Sequence, residues 1–158
     1  MAAPLPNTMS DIRIVGSGIS VYEVEVDLGK YGAVRTDKLD GFVPKLLRMF
    51  PGMRQHECYA GEAGGFVREL KLGTDLAHVM EHLILELLKV ATRSRRRFSG
   101  WTRKKGKHYV IHFQAPNGAT GHCVARCALR AIQDILEGRD LSKRSLIQEI
   151  RTSVEAGQ

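Results

Sequence analysis

One stretch of the chain, GTDLAHVMEHLILELLKVA at positions 73–91, constrains its fold more than any other. Its apolar residues recur with the i, i+3, i+4, i+7 spacing that places them on one face of an α-helix. These residues are Leu76, Val79, Met80, Leu83, Ile84 and Leu87. Thr74 and Asp75 precede them as an N-cap residue and an acid in the first turn. The pattern predicts a long helix that packs one face against a core.

The polar face of the same helix carries His78, Glu81 and His82, spaced H-x-x-E-H. At about 100° per residue, both histidines fall almost opposite the apolar residues, so we expect them to face water or a covered cleft. Histidines four residues apart can both ligate one tetrahedral zinc. Glu81 can then act as a general base towards water, as in zinc peptidases whose helix motif is H-E-x-x-H or its reverse. The alternative is an ordinary solvated helix face, because a motif of three fixed residues also occurs by chance.

A catalytic zinc takes three protein ligands, so His78 and His82 need a third. Glu86 lies one turn beyond His82, about 6 Å along the helix axis, and suits either direct ligation or a supporting hydrogen bond. His56 is the second main candidate. Suitable donor atoms also occur in His112, His122 and Glu149. The spacing leaves the identity of the third ligand open.

The remaining segments predict an α+β domain. We expect strands at 21–29 and 108–115, one or two strands within 55–73 around a Gly64–Gly65 turn, and helices at 40–52 and from about Gly121 to Glu137. Ser142 is expected to cap a last helix through Ile150. The order indicates a mainly antiparallel sheet with helices packed on one side. Residues 1–20 are expected to form a loose lead-in to a single domain at 21–155.

Length and composition suit one soluble domain. The chain has 158 residues, of which 43% are hydrophobic. We find no apolar run as long as a membrane span and no basic start followed by an apolar run, so neither a membrane anchor nor a secretory signal is expected. The chain has three cysteines, and this low and odd number argues against a disulfide scaffold. We therefore expect a cytoplasmic protein.

The chain is basic, with a net charge of +7. Much of this charge lies in RSRRRFSGWTRKKGKH, positions 93–108, which we interpret as a loop between the long helix and the next strand. A solvated loop is the simplest interpretation; contact with an acidic polymer comes next, and nucleic acid third, because no recognition motif accompanies the charge. Lys89 and Arg93 extend the basic residues along the histidine face of the helix. They would place positive charge near the proposed site.

Cys123 and Cys127 are also four residues apart on a predicted helix. Two thiolates at this spacing can bind a metal ion. Both cysteines nevertheless lie on the apolar stripe of that helix, where cysteine commonly serves as a small hydrophobic residue. We interpret the pair as part of the core.

The segment from about residue 40 to 150 resembles the N-terminal domain of cyanophycin synthetases. Those domains carry a G-F-x-x-x-L helix, the segments E-H-x-C-S-x-G-x-x-G-G-F and G-T-x-x-G-H-x-x-E-H-x-x-L-E-L, a T-R pair and a Y-x-V-x-F strand. The matching residues here are Gly41, Phe42, His56, Cys58, Gly61, Gly64, Gly65, Phe66, Gly73, Thr74, His78, Glu81, His82, Glu86, Leu87, Thr102, Arg103, Tyr109, Ile111 and Phe113. Tyr59 and Ala77 depart from the pattern, which usually has Ser and Gly there. The helix alone is also similar to that of inverted-motif zinc peptidases.

This resemblance implies an α+β domain that holds a growing arginine–aspartate polymer and, in some members, cleaves it as a metallopeptidase. Carried over to this chain, His78 and His82 would be zinc ligands, Glu81 the general base, and Arg103 a contact for a carboxylate-bearing polymer. We therefore expect a stand-alone relative, without the ligase domains, that acts as a zinc-dependent peptide or isopeptide hydrolase. The alternative is a non-catalytic module that binds the polymer or a partner enzyme.

Overall fold

The computed structural model describes residues 8–9, 13–15, 20–58 and 61–157. Within these residues the chain forms five strands and five α-helices. The strands are β1 (Thr8–Met9), β2 (Arg13–Val15), β3 (Val21–Asp27), β4 (Gly100–Lys105) and β5 (His108–Gln114). The helices are α1 (Phe42–Met49), α2 (Gly65–Leu72), α3 (Leu76–Thr92), α4 (Gly118–Leu136) and α5 (Lys143–Ala156). None of the described helices combines the length and the apolar composition needed to cross a membrane.

The strands form one antiparallel sheet in the order β1-β3-β5-β4, with β2 also pairing with β3. The alternation of buried and exposed side chains along each strand fixes how the strands pair, because residues directly opposite each other on paired strands share a face. Tyr22, Val24 and Val26 of β3 oppose Phe113, Ile111 and Tyr109 of β5, and all six are buried. β1 and β2 lie inside the segment that we predicted as a loose lead-in; the other residues before Ser20 lie outside the described ranges.

Helices α3 and α4 pack on the apolar face of this sheet, and α5 packs against both of them. α1 contacts α4 further out. The apolar face of α3 contributes the six residues that its sequence pattern predicts, all of them buried. The expected α+β architecture, an antiparallel sheet with helices on one side, is confirmed.

Two helices begin where their capping residues stand. Asn117 accepts a hydrogen bond from the backbone N–H of Thr120 at 2.8 Å, and α4 starts at the next residue. Ser142 accepts one from the N–H of Ser145 at 3.2 Å, which confirms the predicted cap of α5. Each side chain satisfies a backbone donor that the first turn of a helix leaves unpaired.

Two segments differ from the predictions. The stretch 66–72, predicted as a strand, is helix α2, since burial there follows the helical i, i+4 pair Phe66 and Leu70 while Leu72 is 76% exposed. The stretch 100–105, predicted as part of a basic loop, is strand β4. One face of β4 is exposed and its charged residues hide the alternation, so the strand is revealed only by its pairing with β5.

Candidate metal centre

The polar face of α3 is buried. His78, Glu81, His82 and Glu86 have relative exposures between 3 and 8%. His78, Glu81 and His82 line one wall of a cavity of about 780 Å³, and Glu86 lies directly behind them. The segment 55–58 and the first residues of β4 form other parts of the lining. The prediction that the histidines face water or a covered cleft is therefore resolved in favour of the cleft.

Three donor residues converge in this wall. One ligand atom from each of Cys58, His78 and His82 lies within 4.8 Å of the other two. The Sγ of Cys58 is 3.5 Å from the Nε2 of His78. Zinc binds sulfur at about 2.3 Å and imidazole nitrogen at about 2.0–2.1 Å, so two vertices of its tetrahedron lie about 3.6 Å apart. One thiolate and two imidazoles therefore fit zinc in both chemistry and spacing.

Cys58 is the donor that sequence reasoning missed. Our candidates for the third ligand were Glu86 and His56, and neither belongs to this donor cluster within the described residues. The available signal was the loop that carries His56, where a cysteine follows two positions later. Of the remaining candidates, His112 bonds to Glu23 on the far face of the sheet.

His56 and Glu86 instead form a chain of contacts behind His82. The Nδ1 atoms of His56 and His82 lie 3.0 Å apart, and the Nε2 of His56 lies 2.8 Å from a carboxylate oxygen of Glu86. Burial alone would raise the pKa of Glu86, but the hydrogen bond with His56 and nearby positive charges outweigh it, so that pKa lies below its ordinary value. Such partners orient a ligating imidazole and fix which nitrogen is free.

His78 is oriented in the same way. The Oγ1 of Thr74, which we had expected to cap the helix, lies 2.9 Å from its Nδ1. Nε2 therefore points to Cys58. The ring of Phe66 stacks on His82 at 3.8 Å between centroids and meets His78 edge-on at 5.4 Å. Packing and hydrogen bonding thus hold both rings in place.

The surroundings of both imidazoles favour the neutral form. Burial lowers the pKa of His78, and burial together with the neighbouring imidazoles of His78 and His56 lowers the pKa of His82 to about 2. A neutral imidazole is the form that ligates a metal ion, so protons do not compete strongly for either ring.

Glu81 lies beside the three donor residues, and a residue of β4 holds its carboxylate in position. Thr102 donates a hydrogen bond to its Oε2 at 2.7 Å, while its Oε1 lies 4.0 Å from the Nε2 of His82. Burial raises the pKa of Glu81, and the hydrogen bond from Thr102 opposes that rise. A Cβ at Gly100 would lie 2.8 Å from the carbonyl oxygen of His112 and 3.3 Å from the Cγ of Glu81, so this glycine allows the close approach of strand and helix.

The mouth of the cavity is basic and partly aromatic. It is lined by Lys89, Arg95, Arg96, Arg97, Leu85, Phe98 and Trp101. Arg97 and Glu57 lie 3.5 Å apart across it. Lys89 therefore reaches the cavity as predicted.

Arg93 and Arg103, also predicted to contact substrate, are not among the residues that line the cavity. Arg93 ends α3 in a left-handed conformation with φ of 53°. Arg103 follows Thr102 on β4, and successive strand residues point to opposite faces, so it lies on the side of the sheet away from Glu81. The stretch 95–97 supplies the positive charge in their place.

Residues 23–137 match the sequence profile of the cyanophycin synthase-like N-terminal domain. The cyanophycin synthetase of Synechocystis sp. is 24% identical over 138 residues, which cover 85% of this chain and 15% of the synthetase. That of Trichormus variabilis is 28% identical over 130 residues, covering 81% and 14% respectively. That of Crocosphaera subtropica is 27% identical over 129 residues, covering 80% and 15%.

The chain thus spans about 15% of the length of the curated relatives it matches. The profile match runs from β3 to the C-terminal end of α4 and includes all four buried polar residues of α3. It also includes His56, Cys58 and Thr102, three partners that the fold brings to α3. The chain belongs to the cyanophycin synthase-like N-terminal domain family.

Proposed function

We propose that this protein is a zinc-dependent hydrolase that cleaves peptide or isopeptide bonds in an arginine–aspartate polymer. The observation that carries the proposal is the convergence of Cys58, His78 and His82 beside Glu81 in one cavity wall. A cavity of about 780 Å³ has room for a peptide segment. A merely solvated helix face would not bury these groups against matched partners.

Each residue has a defined part in such a reaction. Cys58, His78 and His82 would hold the ion, which when bound supplies the Lewis acidity that makes water acidic near neutral pH and polarises a carbonyl. Glu81 takes the proton from water and delivers it to the leaving amine. Thr102 keeps the carboxylate of Glu81 in position.

The substrate class follows from the relatives and the charge of the cavity. The relatives are cyanophycin synthetases, and the resemblance to their N-terminal domain implies a polymer of arginine and aspartate. Arg95, Arg96, Arg97 and Lys89 surround the cavity and suit the carboxylates of such a polymer, since guanidinium groups bind carboxylates with two parallel hydrogen bonds. Glu57 at the mouth offers a partner for the arginine side chains of the polymer.

The first experiment measures zinc content and hydrolysis of arginine–aspartate polymer. We expect the wild type and Glu81→Gln each to bind about one zinc per chain more than His78→Ala/His82→Ala. Hydrolysis should fall at least about 100-fold in Glu81→Gln, because a general base contributes about 10²- to 10⁴-fold.

Glu62→Gln is the matched control, because it changes an exposed carboxylate paired with Arg68 and should retain full activity. A wild-type protein that binds no more zinc than His78→Ala/His82→Ala when zinc is supplied would refute the proposal. So would a Glu81→Gln variant that hydrolyses polymer at the wild-type rate.

A second candidate function is a polymer-binding module that does not cleave. The specific support is that the relatives are synthetases and that the cavity mouth is basic. This alternative predicts polymer affinity that is unchanged by a chelator, together with no cleavage in the presence of zinc. Polymer affinity with and without a chelator, together with polymer cleavage in the presence of zinc, therefore separates the two candidates.

A further inference from the structure

A second group of metal-ligating side chains lies where α4 meets α5. Cys123 and Cys127 stand on α4 and Glu149 on α5, and one donor atom from each lies within 4.8 Å of the other two. A small cavity of about 340 Å³ is lined by Cys123 and Glu149 together with Ala119, His122 and Arg126. None of these residues lines the cavity of the candidate zinc centre.

The core interpretation explains only part of this arrangement. Cys127 is 1% exposed and packs in the hydrophobic core, as the sequence pattern predicts. Cys123 is only half-buried and faces the cavity. A purely apolar role does not account for the carboxylate of Glu149 beside two sulfur atoms.

A disulfide between the two cysteines does not fit a continuous helix. Residues four apart on a helix have Cβ atoms about 5–6 Å apart, whereas a disulfide requires about 3.5–4.5 Å. The helix α4 runs without interruption through both positions. Both thiols therefore remain available as donors, and an ion placed between them spans a gap that an S–S bond does not.

The charges around the group also favour a cation. Two thiolates and a carboxylate carry three negative charges, of which the guanidinium groups of Arg130 and Arg126 offset two. Arg130 donates to Oε2 of Glu149 at 2.7 Å and lies 3.8 Å from the Sγ of Cys127. A carboxylate has about four lone-pair positions, so Glu149 can accept this bond and still ligate an ion. Arg130 would then orient the ligand from behind.

We propose that Cys123, Cys127 and Glu149 form a second metal site, selective for a soft divalent cation such as zinc or cadmium. Thiolate ligands favour these ions over magnesium and calcium, which prefer oxygen donors. Three protein ligands leave a fourth position open towards the small cavity. The site is independent of the hydrolase that we propose for the first centre.

The test measures cadmium equivalents bound per chain, by equilibrium dialysis and elemental analysis, in the wild type and in Cys123→Ala/Cys127→Ala. We expect the variant to bind one equivalent fewer and to lose the corresponding thiolate-to-cadmium charge-transfer absorption. The difference does not depend on the first centre, because Cys58, His78 and His82 are unchanged in both proteins. Equal cadmium binding by the two folded proteins would overturn the site.

A single surface substitution gives a second test that does not disturb the core. Glu149→Gln removes the carboxylate of an exposed residue and should weaken cadmium binding at this site at least tenfold. Glu155→Gln, an exposed residue also on α5, is the matched control and should bind as the wild type does. Wild-type affinity in Glu149→Gln would remove Glu149 from the ligand set and contradict the proposal.

Discussion

At the scale of single residues, the molecule buries titratable side chains on α3 and gives each a polar partner. Thr74 holds His78, Thr102 holds Glu81, and His56 links His82 to Glu86. Burial of such groups costs free energy unless their hydrogen bonds are satisfied. Each of these four groups therefore has a partner that offsets part of the cost of its burial and holds it in one orientation.

Thr102 is the positioning residue whose role is easiest to isolate. Thr102→Val keeps the shape of the side chain but removes the hydrogen bond to Glu81, so we expect kcat to fall about tenfold or more at unchanged zinc content. Because that bond lowers the pKa of Glu81, its loss raises this pKa further, and the acidic limb of the activity profile should move to higher pH. Steady-state kinetics across pH tests both expectations.

Thr102→Ser is the control, because it restores the hydroxyl and should recover most of the lost kcat. If Thr102→Val instead kept the wild-type kcat and pH profile, the hydrogen bond would have no part in catalysis.

Sequence reasoning reached His78, Glu81 and His82 because they share one helix, whose period alone sets their mutual geometry. It did not reach Cys58, which lies twenty positions before His78. The position of Cys58 relative to α3 depends on helix α2, which connects the two and which the sequence pattern had indicated as a strand. A ligand set drawn from one element is predictable from spacing, whereas a ligand from another element requires the tertiary fold.

At the scale of elements, the 3₁₀ turn Pro51–Gln55 determines how the loop of His56 and Cys58 sits over α3. Gly52 in this turn lies against Glu86, where a Cβ would come within 1.9 Å of a carboxylate oxygen. Gly65 does the same for the other end of the loop, since its Cβ would lie 3.2 Å from the backbone of Cys58. The absence of a side chain at these two glycines therefore lets the loop of His56 and Cys58 pack closely against its neighbours.

Gly52→Ala tests this seating. The added methyl group must displace the carboxylate of Glu86, which releases His56 and with it His82, so we expect zinc affinity to fall about 10- to 100-fold, as for other losses of supporting hydrogen bonds. Competition with a chromophoric chelator measures the affinity.

Gly118→Ala is the matched control for that experiment. A Cβ there meets only a ring carbon of Tyr22 at 3.7 Å, an ordinary contact, at the first residue of α4. It should leave zinc affinity unchanged. Unchanged affinity in Gly52→Ala as well would show that the chain from Glu86 to His82 does not support the centre.

At the scale of the whole molecule, the positive charge is placed where the cavity opens. The chain carries a net charge of +7, and the stretch 95–97 concentrates three arginines at the mouth. The sequence indicated this basic segment, and the resemblance implied Arg103 as a polymer contact beside Lys89 and Arg93. The face of β4 that meets α3 becomes clear only from its pairing with β5. Strand orientation is a property of the assembled sheet.

Neutralising two of these arginines tests the role of the charge. For Arg95→Gln/Arg96→Gln we expect KM for arginine–aspartate polymer to rise about three- to tenfold with little change in kcat, since exposed ion pairs contribute about 0.2–1 kcal/mol each. The difference from the wild type should shrink at high salt. Kinetics at two ionic strengths provide the measurement.

Arg48→Gln/Arg144→Gln makes the same change in net charge at two exposed positions outside the cavity lining. This control separates local binding from overall attraction. An equal rise of KM in both variants would argue that only the net charge matters.

Trp101 has a consequence of its own. It is the single tryptophan of the chain, is 49% exposed, and stacks on the ring of His112 at 4.7 Å, on the face of the sheet away from α3. The next residue, Thr102, points to the opposite face and donates a hydrogen bond to Glu81. Tryptophan fluorescence therefore reports on strand β4 from the side opposite the candidate site, so a change in emission on polymer binding would show that occupancy of the cavity is transmitted through this strand.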